Sequence, residues 1–393
     1  MESVPIGQAN AEMVIDLDAI DRNVRTLCRV AGDAAVMAVV KADGYNHGAT
    51  RIAATAVAAG AREIGVATLS EALELRDSGI EAPIMFWLSG PGDDFAAAIA
   101  RDCEIAVTSE RHLDAVCAAA RSAGRPATIS IKVDTGLNRN GFCPRDYRAL
   151  LTRIRCVKDA GLIRVRGIFS HLACADDPNC SITETQRSRF LNALETASAH
   201  GITPEVTHIA NSAAALTRPD LHFQMVRAGI ALYGLSPVAT AAQLVPAMTL
   251  QARVVLVKDI AAGEGVSYGH MWTALHDTTI ALLPIGYADG LPRALSGKFS
   301  VLIGHKRYPS VGRICMDQVV VDVGQHSGVR EGDVAVLFGN GRHGESRAQD
   351  WAETLDTIHY EIVTPAVVVD APPMNRRRTR RVRRRTPDPP QHS

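Results

Sequence analysis

The chain of 393 residues has no C-x-x-C pair, no apolar run near the roughly 20 residues that a membrane helix needs, and no G-x-G-x-x-G after its first strand-like segment. Each absence removes a class of protein. None of the 13 histidines stands at ligand spacing from a cysteine, so no metal site is expected. The eight cysteines (Cys28, Cys103, Cys117, Cys143, Cys156, Cys174, Cys180 and Cys315) are scattered through a chain too large to need disulfide staples. They read as reduced thiols, mostly in the core. The missing glycine fingerprint weakens a dinucleotide-binding reading. The segment MESVPIGQANAEM lacks a basic region leading into an apolar core, so a cytoplasmic location away from any membrane is the expectation.

Net charge is absent too, since 42 Lys and Arg balance 42 Asp and Glu. The balance is uneven along the chain. NRRRTRRVRRR holds eight arginines between Arg376 and Arg385, leaving 34 cationic and 42 acidic residues elsewhere, a net of −8. Flanked by PP and PDPP, the Arg/Pro-rich tail over 371–393 cannot build a core and is expected to be disordered. It either binds nucleic acid or another polyanion electrostatically or is a solvated extension with no dedicated partner.

What is present is a rhythm. Hydrophobic residues at 47% and charged residues at 21% are those of an ordinary soluble protein, and the length suits a barrel-sized domain with a smaller companion. Eight short β-branched runs, at 36–41, 63–68, 83–89, 104–109, 128–135, 165–173, 205–211 and 224–234, alternate with helical stretches such as ERHLDAVCAAARSAG. Apolar strands alternating with amphipathic helices imply a parallel sheet, and eight units in about 210 residues imply a closed barrel over an open sheet. Beyond residue 243 the runs LQARVVLVKDI, TTIALLPIG, SVLIG and DQVVVDVG follow one another across Gly-rich turns without long helices. The fold class is therefore α/β, with an N-terminal (β/α)8 TIM-type barrel over 12–243 followed by a mainly antiparallel β domain over 244–370. The strand-like AEMVIDLD, within residues 1–16, is a candidate addition to the second domain.

In a (β/α)8 barrel the reacting groups gather at the C-terminal ends of the strands. Lys41 in AVVKADG ends the first, Lys132 and Arg139 follow the fifth, and His171 ends the sixth. Asn211 and Ser212 end the seventh, and Arg227, Gly229 and Ile230 the eighth. A single lysine at a strand end is most often solvated. Cationic and hydrogen-bonding groups from five strands converging on one mouth ask for a common ligand. The Ser212 hydroxyl and free backbone amides at Gly229 and Ile230 would form the phosphate cradle usual after strands 7 and 8. A phosphate facing a lysine suggests pyridoxal 5'-phosphate held as a Schiff base.

With VVKADGYNHGA, IKVDTGLNRNGF, GIFSHLA, HIANSAA, MVRAGIALYG, GVSYGH, LPIGYADGLPR, VGRICMDQ and IHYEI in order from about residue 12 to 363, the chain resembles the alanine racemases. These are pyridoxal-phosphate enzymes of the barrel-plus-β-domain type. The resemblance implies that Lys41 carries the cofactor and acts as base on one face of the substrate α-carbon, with Tyr268 acting on the other. A tyrosine, whose ordinary pKa lies near 10, needs neighbouring positive charge for that task, and His171 and Arg139 are the candidates to supply it. Arg227 would face the pyridine nitrogen, where a guanidinium cannot hand over a proton as a carboxylic acid can. That speaks against the barrel-type decarboxylases, which have a glutamate there.

By the same resemblance Arg139 meets the cofactor and the substrate carboxylate, and Lys132 is a candidate for carbamylation. Tyr45, Ser212, Tyr360, Gly229 and Ile230 meet the phosphate, with Asn211 and His171 also on the cofactor's side. Met316 offers its amide to the substrate, while Asp317, Tyr287 and Arg293 line the entrance. The working form is a homodimer with shared active sites. The implied function is interconversion of L- and D-alanine, supplying D-alanine for peptidoglycan. The alternatives are a racemase of another small amino acid such as serine, since one methylene is worth only about 1–3 kcal/mol, and a non-enzymatic pyridoxal-phosphate carrier. Such carriers resemble the barrel alone, so Tyr268 and Met316 speak against that reading. Two departures stand out: Asn46 takes a place where relatives usually have glycine, and the C-terminus lacks their R-V-P-R ending.

Overall fold

The computed structural model describes residues 10–90, 92–365 and 378–383. Two compact units are present, Ile20–Leu244 and Met1–Ala19 together with Val245–Ser393. Strand β1 (Ala11–Asp16) and helix α1 (Leu17–Ala31) open the chain. The parallel strands of the first unit are β2 (Ala35–Val39), β3 (Glu63–Val66), β4 (Ile84–Phe86), β5 (Cys103–Val107), β6 (Ala127–Lys132), β7 (Ile163–Phe169), β8 (Val206–His208) and β9 (Met225–Ala228). Between them run α2 (Lys41–Asn46), α3 (Ala49–Ala58), α4 (Leu69–Asp77), α5 (Phe95–Ala100), α6 (Glu110–Ala123), α7 (Tyr147–Asp159), α8 (Ile182–Ala199) and α9 (Ser212–Thr217).

The sheet order β8-β7-β6-β5-β4-β3-β2-β9 is an eight-stranded, nearly closed barrel. Backbone bonds Gln224 N–H to Thr207 O (3.2 Å) and Arg227 N–H to Ala210 O (3.0 Å) bridge the remaining gap. The strands are shorter than the apolar runs suggest. Val206–His208 stops because Asn211 caps α9, its side chain accepting from Ala214 N–H. The last run turns after Ala228 into a 3-10 turn at Ile230–Tyr233.

Fully buried Met37, Met85, Ala106, Phe169 and Met225 fill the barrel. Below them Glu63, Glu104 and Arg166 come from β3, β5 and β7, the alternate strands that share one layer in this fold. Arg166 pairs with both carboxylates, reaching Glu63 Oε2 at 3.1 Å, and Ser130 Oγ donates to Glu104. Burial pushes the Glu63 carboxyl up, against the pull of Arg166.

The second unit holds β10 (Met248–Arg253), β11 (Leu256–Ile260), β12 (Gly265–Val266), β13 (Trp272–Thr273), β14 (Thr278–Leu283), β15 (Ser300–Ile303), β16 (Lys306–Val311), β17 (Val319–Asp322), β18 (Val334–Phe338) and β19 (Arg378–Arg383). Its main sheet runs β11-β14-β17-β16-β15-β18-β10-β1-β19. All pairs are antiparallel except β1 with β19. The strand within AEMVIDLD thus pairs with β10, Ala11 opposite Ala252.

Two expectations need correction. Residues 378–383 of the Arg-rich tail form a strand parallel to β1, Ala11 opposite Arg378, where disorder was expected. A chain without a core can still add to a sheet, because the far edge of β1 offers unpaired backbone donors and acceptors to any extended segment. The rest of 371–393 lies outside the described residues. The cysteines also differ, since Cys174 and Cys180 are joined as a disulfide with Cα atoms 6.3 Å apart. Successive turns, Asp177 N–H to Cys174 O and Cys180 N–H to Asp177 O, both 3.2 Å, bring the two together without a C-x-x-C. Of the other six only Cys103 and Cys117 are buried. Among the described residues no helix is long and apolar enough to cross a membrane, and no group of His, Cys, Asp or Glu is arranged to hold a metal ion.

The charged layer yields a stability prediction. Arg166→Met leaves Glu63 and Glu104 buried without a counter-charge and is expected to cost about 3–5 kcal/mol. Urea unfolding of the cofactor-free protein at neutral pH measures this, and a loss below about 1 kcal/mol contradicts it.

Candidate active site

Lys41 follows β2 at the start of a backbone turn of the wrong hand. Ala42, Asp43, Gly44, Tyr45 and Asn46 all have φ between 52° and 65°. For residues with a Cβ each such angle costs roughly 1–2 kcal/mol, so the turn needs outside support. Gly44 N–H donates to Val40 O (2.8 Å) and Gly48 N–H to Asp43 O (2.9 Å). Glu71 accepts from Ala42 N–H (2.7 Å) with one oxygen and from Ala67 and Thr68 N–H with the other, tying the turn to the loop after β3. The Asp43 carboxylate accepts from Ala49 N–H at 2.9 Å. Tyr233 packs its ring against Tyr45 and His47 and donates to Val39 O at 3.0 Å. Burial, then repulsion from Arg139, lowers the basicity of the Lys41 amine.

Arg227 is buried at the centre of the mouth. Its guanidinium donates to Ser170 O (2.7 Å), Ile209 O (3.3 Å), His208 Nδ1 (2.8 Å) and His171 Nδ1 (3.1 Å). Burial brings it down to about 9, still charged at neutral pH. An arginine has no acceptor, so each histidine must present a bare Nδ1 and carry its proton on Nε2. Burial and Arg227 accordingly depress both imidazoles, His171 to about 2 and His208 well below its usual range. This corrects one expectation: His171 is neutral and brings no positive charge to a tyrosine, only a hydrogen-bond donor at Nε2.

Lys132 is buried, with burial, Arg227 and Arg139 bringing its amine down to about 8. Arg139 sits exposed on the loop after β6. The nearby carboxylates are engaged with backbone, Glu71 as above and Asp134 with Gly136 and Asn138 N–H (2.9 and 3.1 Å). Four cations, Lys41, Lys132, Arg139 and Arg227, all weaken the basicity of His171, so they share one mouth.

At the other side Ser212 Oγ accepts from Gly229 N–H (2.9 Å) and Ala231 N–H (3.3 Å), which leaves its own proton to donate. The Gly229 amide is therefore not free, contrary to expectation, because the Ser212 hydroxyl accepts from it. A Cβ on Gly229 would lie 2.5 Å from Tyr45 Oη, so glycine is what lets the Tyr45 hydroxyl come this close to the backbone. Asn211 spends its side-chain oxygen on the cap of α9.

The remaining expected site residues belong to the second unit. Tyr268, Met316 and Tyr287 are exposed, Tyr268 by 70%. Met271, also exposed, accepts from Arg313 Nε at 2.8 Å, and Arg313 O accepts from Ser267 Oγ, beside Tyr268. Tyr287 N–H donates to Cys315 O and Ala288 N–H to Met316 O, a contact so close that only glycine fits at Gly286. Arg293 is exposed and Asp317 half-buried. Tyr360 is half-buried and stacks on His359 at 5.1 Å.

The barrel unit matches the family profile "Alanine racemase, N-terminal domain" over residues 15–237, and the second unit matches "Alanine racemase, C-terminal domain" over 247–367. The chain belongs to the alanine racemase family. An alanine racemase of Mycolicibacterium smegmatis is 56% identical over 363 residues, 92% of this chain and 93% of that one. One of Mycobacterium tuberculosis is 55% identical over 357 residues, 90% and 93% of the two chains. Among solved structures, the alanine racemase of D-cycloserine-producing Streptomyces lavendulae is similar at 45% identity and a TM-score of 0.90, covering 98% of this chain and 99% of its own. The Bacillus anthracis alanine racemase with bound L-Ala-P is similar at 33% and 0.83, covering 92% and 93%.

The alanine racemase family is pyridoxal-phosphate-dependent, and the residues present fit that group. The Ser212 hydroxyl with its proton left to donate, the Tyr45 hydroxyl brought close to Gly229 and the gathering of cations around His171 suit a phosphorylated, multiply anionic ligand. Several groups that organise the mouth of this barrel escape sequence reasoning: His208 and Ser170, which hold Arg227, Glu71, which holds the Lys41 turn, and Gln186, which donates to His171 O (2.9 Å) and Thr135 Oγ1 (3.2 Å). For His208 a signal existed, a histidine on an apolar strand three residues before Asn211. Gln186 lies in mid-helix and gives none.

The left-handed turn supplies the second prediction. Asn46 has φ 65°, which Asn tolerates and a β-branched residue does not. Asn46→Val is expected to lower stability by roughly 1–2 kcal/mol through the backbone angle, as chemical denaturation would show.

Proposed function

We propose that this protein interconverts L- and D-alanine, with Lys41 and Tyr268 as the two proton-transfer groups on opposite faces of the substrate. Pyridoxal 5'-phosphate, when bound, supplies the electron sink that makes an amino acid's α-hydrogen acidic. Lys41 holds that group and moves a proton at Nζ, a task favoured by the lowered basicity of its amine. Tyr268 moves the other proton at Oη, with the His171 Nε2–H as hydrogen-bond donor to its phenolate. Arg139 binds the substrate carboxylate through its fork of donors, joined by the Met316 amide. Ser212, Tyr45, Tyr360, Gly229 and Ile230 hold the phosphate beside Asn211, while Tyr287, Arg293 and Asp317 border the entrance.

The observation that carries the reading is Arg227, which faces two neutral imidazoles and two carbonyls and has no proton to give. Arg227 would hold the ring-nitrogen end of pyridoxal 5'-phosphate as a donor with no proton to release, and so would favour return of the α-proton over side reactions. Lys132 serves as the partner of Arg139 after carbamylation. Its amine is brought down to about 8 and can add carbon dioxide, releasing a proton and becoming an anion amid three cations. The D-alanine formed supplies peptidoglycan, and the enzyme works in the cytoplasm.

Incubation of the purified protein with single L-amino acids in heavy water tests this. L-alanine is expected to gain α-deuterium and yield D-alanine, with serine slower; no exchange with any amino acid would overturn every racemase reading and leave the carrier.

The exposed Tyr268, Met271, Leu275 and Met316 favour a homodimer in which this face completes the partner's site. Lys41→Ala and Tyr268→Ala are each expected to be inactive alone, and mixed chains to regain partial activity. Failure to recover activity after verified subunit exchange would refute shared sites.

A further inference from the structure

The segment after β7 is held twice. Gln186, fully buried on α8, donates from Nε2 to His171 O and accepts Ala173 N–H (2.8 Å) at Oε1, while the same Nε2 reaches Thr135 Oγ1. Thr135 Oγ1 in turn lies 2.8 Å from Ser170 Oγ. These bonds fix the positions of His171 and Ser170, and both touch Arg227. The next residue after Ala173 is Cys174, bonded to Cys180 two residues before α8 begins. The disulfide closes the loop immediately beside the Gln186 clip. Both cysteines are half-buried, and Asp176, Asp177, Pro178 and Asn179 between them are exposed, so an external thiol can reach the sulfurs.

We propose that Cys174–Cys180 is a reversible thiol–disulfide exchange site whose closed form keeps the Gln186 clip engaged, and so holds His171 and Arg227 in their cofactor-binding arrangement. The exchanging partner is a dithiol. One of its thiolates attacks a sulfur of the bond and forms a mixed disulfide. Its second thiolate then displaces the protein sulfur, so two electrons and two protons pass to the cysteines and the dithiol leaves as its own disulfide. Opening the bond lengthens the untethered connection between β7 and α8, and the Gln186 contacts must then be made against a larger ensemble of loop conformations. The inference rests on the proposed reading of Arg227 and His171 as cofactor-side residues.

Residues 167–187 form one tryptic peptide containing both cysteines, which makes the bond directly measurable. Without reductant the peptide is expected two hydrogens lighter and unalkylated, and after dithiothreitol doubly alkylated. Protein in each state, freed of reductant, is then titrated with pyridoxal 5'-phosphate by absorbance. Reduction is expected to weaken binding roughly three- to tenfold and reoxidation to restore it, while Cys180→Ser should keep the reduced value in either condition. Absence of the bridged peptide under oxidising conditions, or equal affinity in the two states, overturns the proposal. A redox-dependent affinity in a protein that racemises nothing would leave this inference standing and remove the racemase reading, whereas redox-independent affinity with full racemase activity would do the reverse.

Discussion

A buried guanidinium organises the barrel mouth. Taking the Arg227 charge out of water is costly unless every donor is met, and here two carbonyls and two imidazole nitrogens meet it while the Phe169 ring lies 5.6 Å away. Because an arginine only donates, it dictates the tautomer of each histidine. His171 and His208 become neutral rings with their protons on Nε2, whatever their intrinsic preference. One side chain thereby sets the protonation of two others, and His171 passes the consequence onward as a fixed donor. A carboxylate in place of either imidazole would neutralise Arg227 and change the charge of the whole mouth.

The opposite wall rests on backbone strain. Continued extended chain would carry Lys41 onward past the barrel rim; the left-handed turn instead folds the chain back and leaves Lys41 half-buried, with Arg139 near enough to repel its charge. Such a turn persists only if its surroundings over-determine it. Glu71 does so by accepting from Ala42 N–H while Ala67 and Thr68 N–H fix its other oxygen, and Tyr233 with a tilted ring contact to Tyr45 and a bond to Val39 O. Glu71 is at the same time the N3 residue of the α4 capping box. One carboxylate thus starts a helix and anchors the lysine's turn.

This division explains what the sequence could reveal. Strand–helix alternation, the change of texture after residue 243 and the polar residues at strand ends are local patterns, legible without a structure. Long-range hydrogen bonds are not. The pairing of Arg227 with His208 and the clip from Gln186 to the segment after β7 depend on register between strands and helices, which no spacing in the chain encodes. The neutral state of His171 belongs to the same group, because it follows from what lies opposite Nδ1. Cys174 and Cys180 are drawn together by two successive turns, and pattern reasoning that looks for C-x-x-C passes over a six-residue separation. For β19 the deciding feature was not in the Arg-rich segment at all but in the unpaired edge of β1.

The chemistry proposed here also constrains the assembly. The barrel mouth gathers cations and neutral donors, and on the proposed reading Lys41 is the group there that takes the proton from the substrate. A single base can remove and return a proton on one face, which exchanges hydrogen but retains configuration. Inversion requires a second group on the opposite face, and the candidate, Tyr268, stands 70% exposed on the second unit beside Met271 and Met316. On the proposed reading the exposure is thus the condition of the free chain, and a surface that buries Tyr268, Met271, Leu275 and Met316 together is what turns a one-base exchanger into a racemase.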